Sequence, residues 1–215
     1  MRLFLSSHDF GNYKTELLKL TKNGRKTLII TNARDFLSDD EKQTVVSRKL
    51  ALFRDAGFEA EELDLRQYFG REEQLAEFIE SYRPNLFFAI GGNVFLLSTA
   101  YRLSGFAEIL LDDLKQDKYV YGGGSAGGIV TVKSLEYYGH GYLTPEKVLE
   151  IYGADAVMDG LGLIDRYVVP HADEPKFSEA TKKYYKRLNQ DGRDILLINQ
   201  NSAYIIDGNQ ANLLP

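Results

Sequence analysis

The chain contains no cysteine, which rules out disulfides, thiolate metal centres and a cysteine nucleophile. Histidine is scarce: His8, His140 and His171 are the only three, so any imidazole chemistry must use one of them. No stretch approaches the roughly 20 apolar residues of a membrane-spanning helix. The stretch from Met1 to Ser7 carries a single positive side chain and an apolar run too short for a secretory signal. A cytoplasmic protein with no membrane partner is the expectation. Charge of neither sign gathers into a block; 26 basic residues against 31 acidic ones give a net charge of −5, so a nucleic-acid partner is not expected. Internal repeats, low-complexity tracts and Pro/Ser-rich linkers are absent as well. The 215 residues are expected to form one α/β domain over 1–215, large enough to bury its own core.

What is present is an alternation of strand-like and helix-like segments. Strands are expected at Arg2–Ser6, Thr27–Thr31, Phe58–Leu65 and Leu86–Ile90, and in the run from Lys118 into a glycine turn. Helices are expected at Thr15–Lys22, from an Asp39 or Asp40 cap to Ala56, at Arg71–Tyr82, from Val94, at Phe106–Gln116 and at Ser178–Asn189. Tyr167–Val169 and Ile195–Ile198 read as later strands, and Tyr204–Ile206 before Asp207-Gly208 as a hairpin-like end. This order predicts a three-layer α/β fold, a mostly parallel sheet with helices on both faces. Function in such folds collects at the carboxyl ends of strands, where three loops fall: Gly91-Gly92-Asn93, Gly124-Ser125-Ala126 and Pro170-His171-Ala172-Asp173.

The middle loop is the most informative. Gly123 to Gly127 fits G-x-S-x-G, the nucleophile elbow, in which small neighbours allow a serine to be held in a strained backbone turn. Gly122, Gly124 and Gly127 also fit G-x-G-x-x-G, but the second strand and acidic residue of a dinucleotide site do not follow in Leu135 to Glu150. No Gly-Lys-Ser/Thr follows either, which weighs against a phosphate loop. A structural turn between strand and helix is the third reading, and the pattern alone leaves it open beside the elbow.

A serine nucleophile needs a base. His171 directly follows Pro170 at a strand end, whereas His8 lies just after the first strand and His140 in a Tyr/Gly-rich loop. His171 is therefore the expected base, with a structural histidine as the alternative. Its orienting partner is sought locally among Asp165, Asp173 and Glu174, or after the next strand in Asn199-Gln200-Asn201. Because His171 falls too early for the Ser, acid, His order of α/β-hydrolases, the expected order is Ser125, His171 and a residue near position 200.

Gly91-Gly92-Asn93-Val94-Phe95, Gly124-Ser125-Ala126-Gly127, Leu161-Gly162-Leu163 leading to Pro170-His171, and Ile198-Asn199-Gln200-Asn201-Ser202-Ala203 resemble, in order, the blocks of the peptidase E (α-aspartyl dipeptidase) and cyanophycinase family of serine peptidases. The resemblance implies a class I glutamine amidotransferase-like, flavodoxin-like fold, with Ser125 as nucleophile and His171 as general base. It also implies the Gly92 and Ala126 amides as oxyanion hole, and Asn93 as either a turn residue or a substrate-binding group. Gln200 stands where the family generally has glutamate, so the third catalytic position is an uncharged hydrogen-bond acceptor. Asp173, Glu136 or another acid is the alternative source of charge.

The implied substrate is a small peptide, including dipeptides with N-terminal aspartate, with Lys133, Arg166 and Lys176 as candidate cationic contacts. An esterase or amidase on the same fold, or a decayed binding protein, are the rival expectations. A monomer or homodimer is expected. No cofactor is implied, and no spacing such as H-x-x-x-H points to a metal. The family continues through another strand where this sequence shows only Asn212-Leu213-Leu214-Pro215, which leaves the closing edge of the sheet open.

Overall fold

The structure, a computed structural model, describes residues 1–139, 143–175 and 178–215; the candidates His140 and Lys176 lie outside them. A seven-stranded sheet runs in the order β3-β2-β4-β5-β1-β8-β9. Its strands are β1 (Arg2–Ser6), β2 (Lys26–Ile30), β3 (Glu59–Leu63), β4 (Leu86–Ala89), β5 (Val120–Gly124), β8 (Ala203–Asp207) and β9 (Gln210–Leu214). The first five are mutually parallel, and β8 and β9 run antiparallel at one edge. The architecture is the expected mostly parallel α/β sheet with helices around it.

Alternation along the central strands divides the core. Leu3, Leu5, Phe87 and Tyr121 pack on one face, and Phe4, Phe88 and Val120 on the other, as the two-residue period of a strand requires. The first face is covered by α3 (Glu72–Tyr82), α4 (Val94–Leu103) and α5 (Phe106–Lys115), which contribute Leu75, Ile79, Leu97, Phe106 and Leu110. The second is covered by α1 (Lys14–Leu20) and α2 (Asp39–Asp55) through Leu17, Leu20 and Phe53. Each such fully buried Phe or Leu contributes about 1.5–3 kcal/mol. Among the described residues no single helix is long and apolar enough to cross a membrane.

Two details differ from expectation, and a third settles a point left open. The cap of α2 is Ser38 rather than Asp39 or Asp40: its side chain accepts from the Glu41 amide while Glu41 accepts from the Ser38 amide, a reciprocal box that satisfies two helix-end donors. Tyr167–Val169 (β6) and Ile195–Leu197 (β7) form their own two-stranded parallel sheet instead of extending the main one. The segment after Asp207-Gly208 does form a strand: β9 returns along β8 and closes that edge, with Asp207 opposite Gln210. This is the hairpin-like end expected at Asp207-Gly208, with a return strand exposed along nearly all its length.

Of the remaining helices, α6 (Ala126–Ile129) follows β5 directly, α7 (Glu146–Tyr152) packs near α4, and α8 (Ser178–Gln190) lies between β6 and β7 in sequence. Phe88 and the α6 backbone leave no space beside β5. A Cβ on Gly122 would lie 2.5 Å from the Phe88 ring, one on Gly123 2.2 Å from Gly127 O, and one on Gly127 2.2 Å from Ala89 O. The glycines thus let α6 sit against β4 and β5, and this contact sets where the residue between strand and helix projects.

Candidate active site

Ser125 is that residue. It has φ 52° and ψ −108°, a region that costs a non-glycine residue roughly 1–3 kcal/mol. The surroundings hold it there: its amide donates to Ser6 O at 2.9 Å, and its carbonyl accepts from the Gly128 and Ile129 amides, each at 2.9 Å. The side chain is left half-buried and pointing out of the elbow.

His171 reaches the same point from the end of β6. It too has positive φ, 58°, and its amide donates to Ser7 Oγ at 2.8 Å while Ser7 Oγ donates to Ile198 O at 2.8 Å. One hydroxyl therefore ties the ends of β1, β6 and β7 together. His171 Nε2 lies 3.1 Å from Ser125 Oγ, and its Nδ1 lies 3.1 Å from Glu174 Oε2. The turn that brings Glu174 back is closed by its own amide donating to His171 O at 3.2 Å.

The partner on the imidazole is thus Glu174, and the expectation of Gln200 is corrected. Gln200 is exposed, and its recorded contact is its backbone amide donating to Asp173 Oδ1 at 2.7 Å. That bond draws Asp173 toward the Gln200 loop, and Glu136 is exposed in a separate turn closed by Tyr138 N–H and Leu135 O. Glu174 stood among the local acids in the sequence. Its three-residue spacing from His171 fits a turn, and only the fold decides whether that turn forms.

Gly92 borders the same cleft as Ser125 and Ala126 follows Ser125 in the chain; Gly92 cannot be larger because a Cβ would lie 2.0 Å from Ala33 O. Among the described residues neither amide donates a backbone hydrogen bond. Of the two readings of Asn93, the structure gives the turn residue and not the substrate-binding group. Fully buried, it caps α4 by accepting from the Phe95 and Leu96 amides at 2.9 and 3.3 Å, and its Nδ2 donates to Thr144 O at 3.1 Å. Both ends of the carboxamide are used in holding the loop.

Two lobes meet at Ser125. One is apolar, about 60 Å³, lined by Val94, Ile129, Tyr138, Leu143, Pro170 and Tyr184. The other, about 230 Å³, is lined by Ser7, His8, Asp9, Arg34 and Lys49; Gly92, Ser125, Leu143 and His171 border both. Arg34 Nε donates to Gly91 O at 2.5 Å, and Lys49 pairs with Asp9 at 2.5 Å. The sequence did not single out Arg34 or Lys49, because each is remote from every motif. The expected cations are elsewhere: Lys133 pairs with Asp165 on the surface, and Arg166 donates to Ile195 O and pairs with Asp194.

Burial, with the adjacent His8 imidazole, pushes the His171 pKa down to about 4, although Glu174 opposes the shift. The imidazole is therefore neutral at pH 7 and can accept a proton. For Glu174 burial acts upward, but hydrogen bonding to His8 and the proximity of His171 outweigh it, so its carboxyl is held below the ordinary value. A carboxylate at Nδ1 fixes the tautomer that aims the Nε2 lone pair at Ser125 Oγ.

Residues 3–214 match the sequence profile of Peptidase family S51. An uncharacterized peptidase of Listeria monocytogenes is 30% identical over 128 residues, which cover 59% of this chain and 57% of the relative. The chain thus spans less than two thirds of that relative's length. An uncharacterized peptidase of Pasteurella multocida is 28% identical over 166 residues, 73% of this chain and 74% of the relative. A crystal structure of a Listeria monocytogenes protein provisionally named a peptidase E superposes with a TM-score of 0.76 at 22% identity, covering 99% of this chain and 96% of that one. A peptidase from an acI-B1 actinobacterium gives a TM-score of 0.71 at 18% identity, with 99% and 86% covered. At these identities the two structures establish likeness of fold.

Proposed function

The chain belongs to peptidase family S51, and on that premise we propose that it is a serine peptidase that hydrolyses short peptides through an acyl-enzyme. The observation that carries this reading is the relay of Ser125 Oγ, His171 Nε2 at 3.1 Å and Glu174 Oε2 at 3.1 Å from Nδ1. Ser125 Oγ attacks the peptide carbonyl as Nε2 takes its proton; the C–N bond then breaks and the leaving amine receives that proton. Water repeats the sequence on the ester and releases the acid. The Gly92 and Ala126 amides are the donors for the oxyanion. Glu174 supplies the charge for the imidazolium that Gln200 lacks, which removes the motive for regarding the site as decayed.

Arg34 beside Ser125 supports an acidic group on the substrate, including an N-terminal aspartate, because a guanidinium pairs with carboxylates, whereas Lys49 is already held by Asp9. The test is labelling by a fluorophosphonate followed by turnover of a panel of Asp-X, neutral dipeptide and ester substrates. Stoichiometric labelling that is lost in Ser125→Ala, with peptide turnover, is expected. Ester turnover alone would leave an esterase in place of a peptidase, and a folded protein that never labels would sink the nucleophile.

A further inference from the structure

His8 has no part in the relay, yet its Nε2 lies 3.0 Å from the same Glu174 Oε2 that faces His171. Its ring stands edge-on to the His171 ring with centroids 4.5 Å apart. The two nitrogens and the carboxylate oxygen lie within 4.8 Å of one another. Two imidazoles and one carboxylate are a zinc donor set, and tetrahedral zinc with ligands at 2.0–2.1 Å spaces its ligand atoms by about 3.3–3.4 Å. The two distances to Glu174, 3.0 and 3.1 Å, need to widen by a few tenths of an ångström, and the separation of the two nitrogens, which is within 4.8 Å, has to match the same spacing. His8, whose side chain is 42% exposed, is the ligand with room to move. A cleft lined by His8, Asp9, Asn12, Glu174, Gln200 and Asn201 opens onto His8 and Glu174, and His8 and His171 also border one cleft together.

We propose that His8, His171 and Glu174 form a site for a zinc-class divalent cation, and that occupancy switches the hydrolytic centre off. The second half rests on the peptidase reading above; the site itself does not. Glu174, an acceptor when ionised, receives a hydrogen bond from Nδ1–H of His171 and from Nε2–H of His8. A cation bound by those two nitrogens displaces both protons to the far ring nitrogens, with no proton lost overall. His171 then carries its hydrogen on Nε2 and aims it at Ser125 Oγ, so the lone pair that must take the serine proton is gone. Imidazole donors favour zinc, nickel, cobalt and copper over magnesium and calcium, so inhibition should follow that division. The three ligands come from two strand ends far apart in sequence, which is why no local spacing disclosed them.

The test uses the full chain, freed of metal with a chelator, and zinc as the probe. Binding is measured by competition with a chromogenic chelator, and hydrolysis is followed during the same titration. One equivalent of zinc should bind per chain, hydrolysis should fall in proportion, and chelator should restore it; magnesium should do neither. Ser125→Ala keeps all three ligands and should bind zinc as the parent does. His8→Phe keeps a ring against His171 but removes a ligand, so in that same Ser125→Ala background it should weaken binding by at least ~100-fold. In the active enzyme, His8→Phe should make hydrolysis resistant to zinc. Equal zinc affinity with and without His8 overturns the site, as does equal inhibition by magnesium. One bound equivalent with undiminished hydrolysis overturns the switch. If the parent shows no hydrolysis, the peptidase reading fails while the binding comparison in the Ser125→Ala background still decides the site.

Discussion

The two lobes that meet at Ser125 are built from opposite materials. The apolar lobe draws Val94, Ile129, Tyr138 and Tyr184 from helices and from the segment after α6, and it buries one side of His171. The charged lobe draws His8, Asp9, Arg34 and Lys49 from the β1 and β2 ends and from α2. The first presents apolar side chains and the second charged ones, with His8 on the second. On the proposed peptidase reading, a substrate spanning the scissile bond meets both lobes, and selectivity divides between burial on one side and charge on the other.

The comparison breaks most completely at the residue both lobes share. Ser125→Ala should lower kcat by about 10⁴-fold or more for every substrate, because nucleophile and base act as a unit, while substrate binding in both lobes persists. Steady-state kinetics with calorimetric titration of an uncleaved peptide would check this; residual turnover within tenfold of the parent would place the nucleophile elsewhere. The next effect belongs to the acid. Glu174→Gln should cost roughly 10²–10⁴-fold in kcat, as loss of the buried carboxylate does in serine proteases, whereas Gln200→Ala should change it by less than about threefold, on the order of a surface substitution. The reverse ranking would return the third role to position 200.

Much of this was legible in the sequence because it depends on local constraints. The elbow glycines, the Pro-His loop and the buried strands state their own geometry, so the sheet, Ser125 and His171 follow from short motifs. The third catalytic position and the choice between the two roles of Asn93 were not legible for a different reason: each is decided by a contact across the fold. Asn93 is spent on α4 and Thr144, and Gln200 is drawn to Asp173. Arg34, Lys49 and His8 carry no motif at all and become neighbours of Ser125 only when β1, β2 and β5 align in one sheet.

The charged lobe alone is tested by Arg34. Arg34→Met should lower kcat/KM for an acidic dipeptide by about 10–10²-fold, the worth of a charge-assisted hydrogen bond of about 1.5–3 kcal/mol, and should leave a neutral dipeptide nearly unchanged. Arg34→Lys should recover part of the loss. An equal fall for both substrates would mean that Arg34 acts only by holding Gly91, through its 2.5 Å bond to that carbonyl.

The smallest effect is a displaced pH limb, and it tests how the two lobes act jointly on His171. The base must be neutral, so in metal-free buffer kcat/KM should fall only as pH drops toward about 4. At pH 5.5 an imidazole with the ordinary value near 6.5 would already have lost about tenfold, whereas this enzyme should retain most of its pH 7 rate. Stability follows the same sign. The unfolded chain binds the proton near pH 6.5 and the folded chain only near 4, so unfolding free energy falls as pH decreases across that window. Hydrating the apolar lobe with Tyr184→Ala should move the limb upward by relieving burial, and His8→Phe should move it the same way by removing the neighbouring imidazole. Burial is the larger cause and His8 the next, so the apolar-lobe change should shift the limb further; the opposite ranking would place control of the base in the charged lobe.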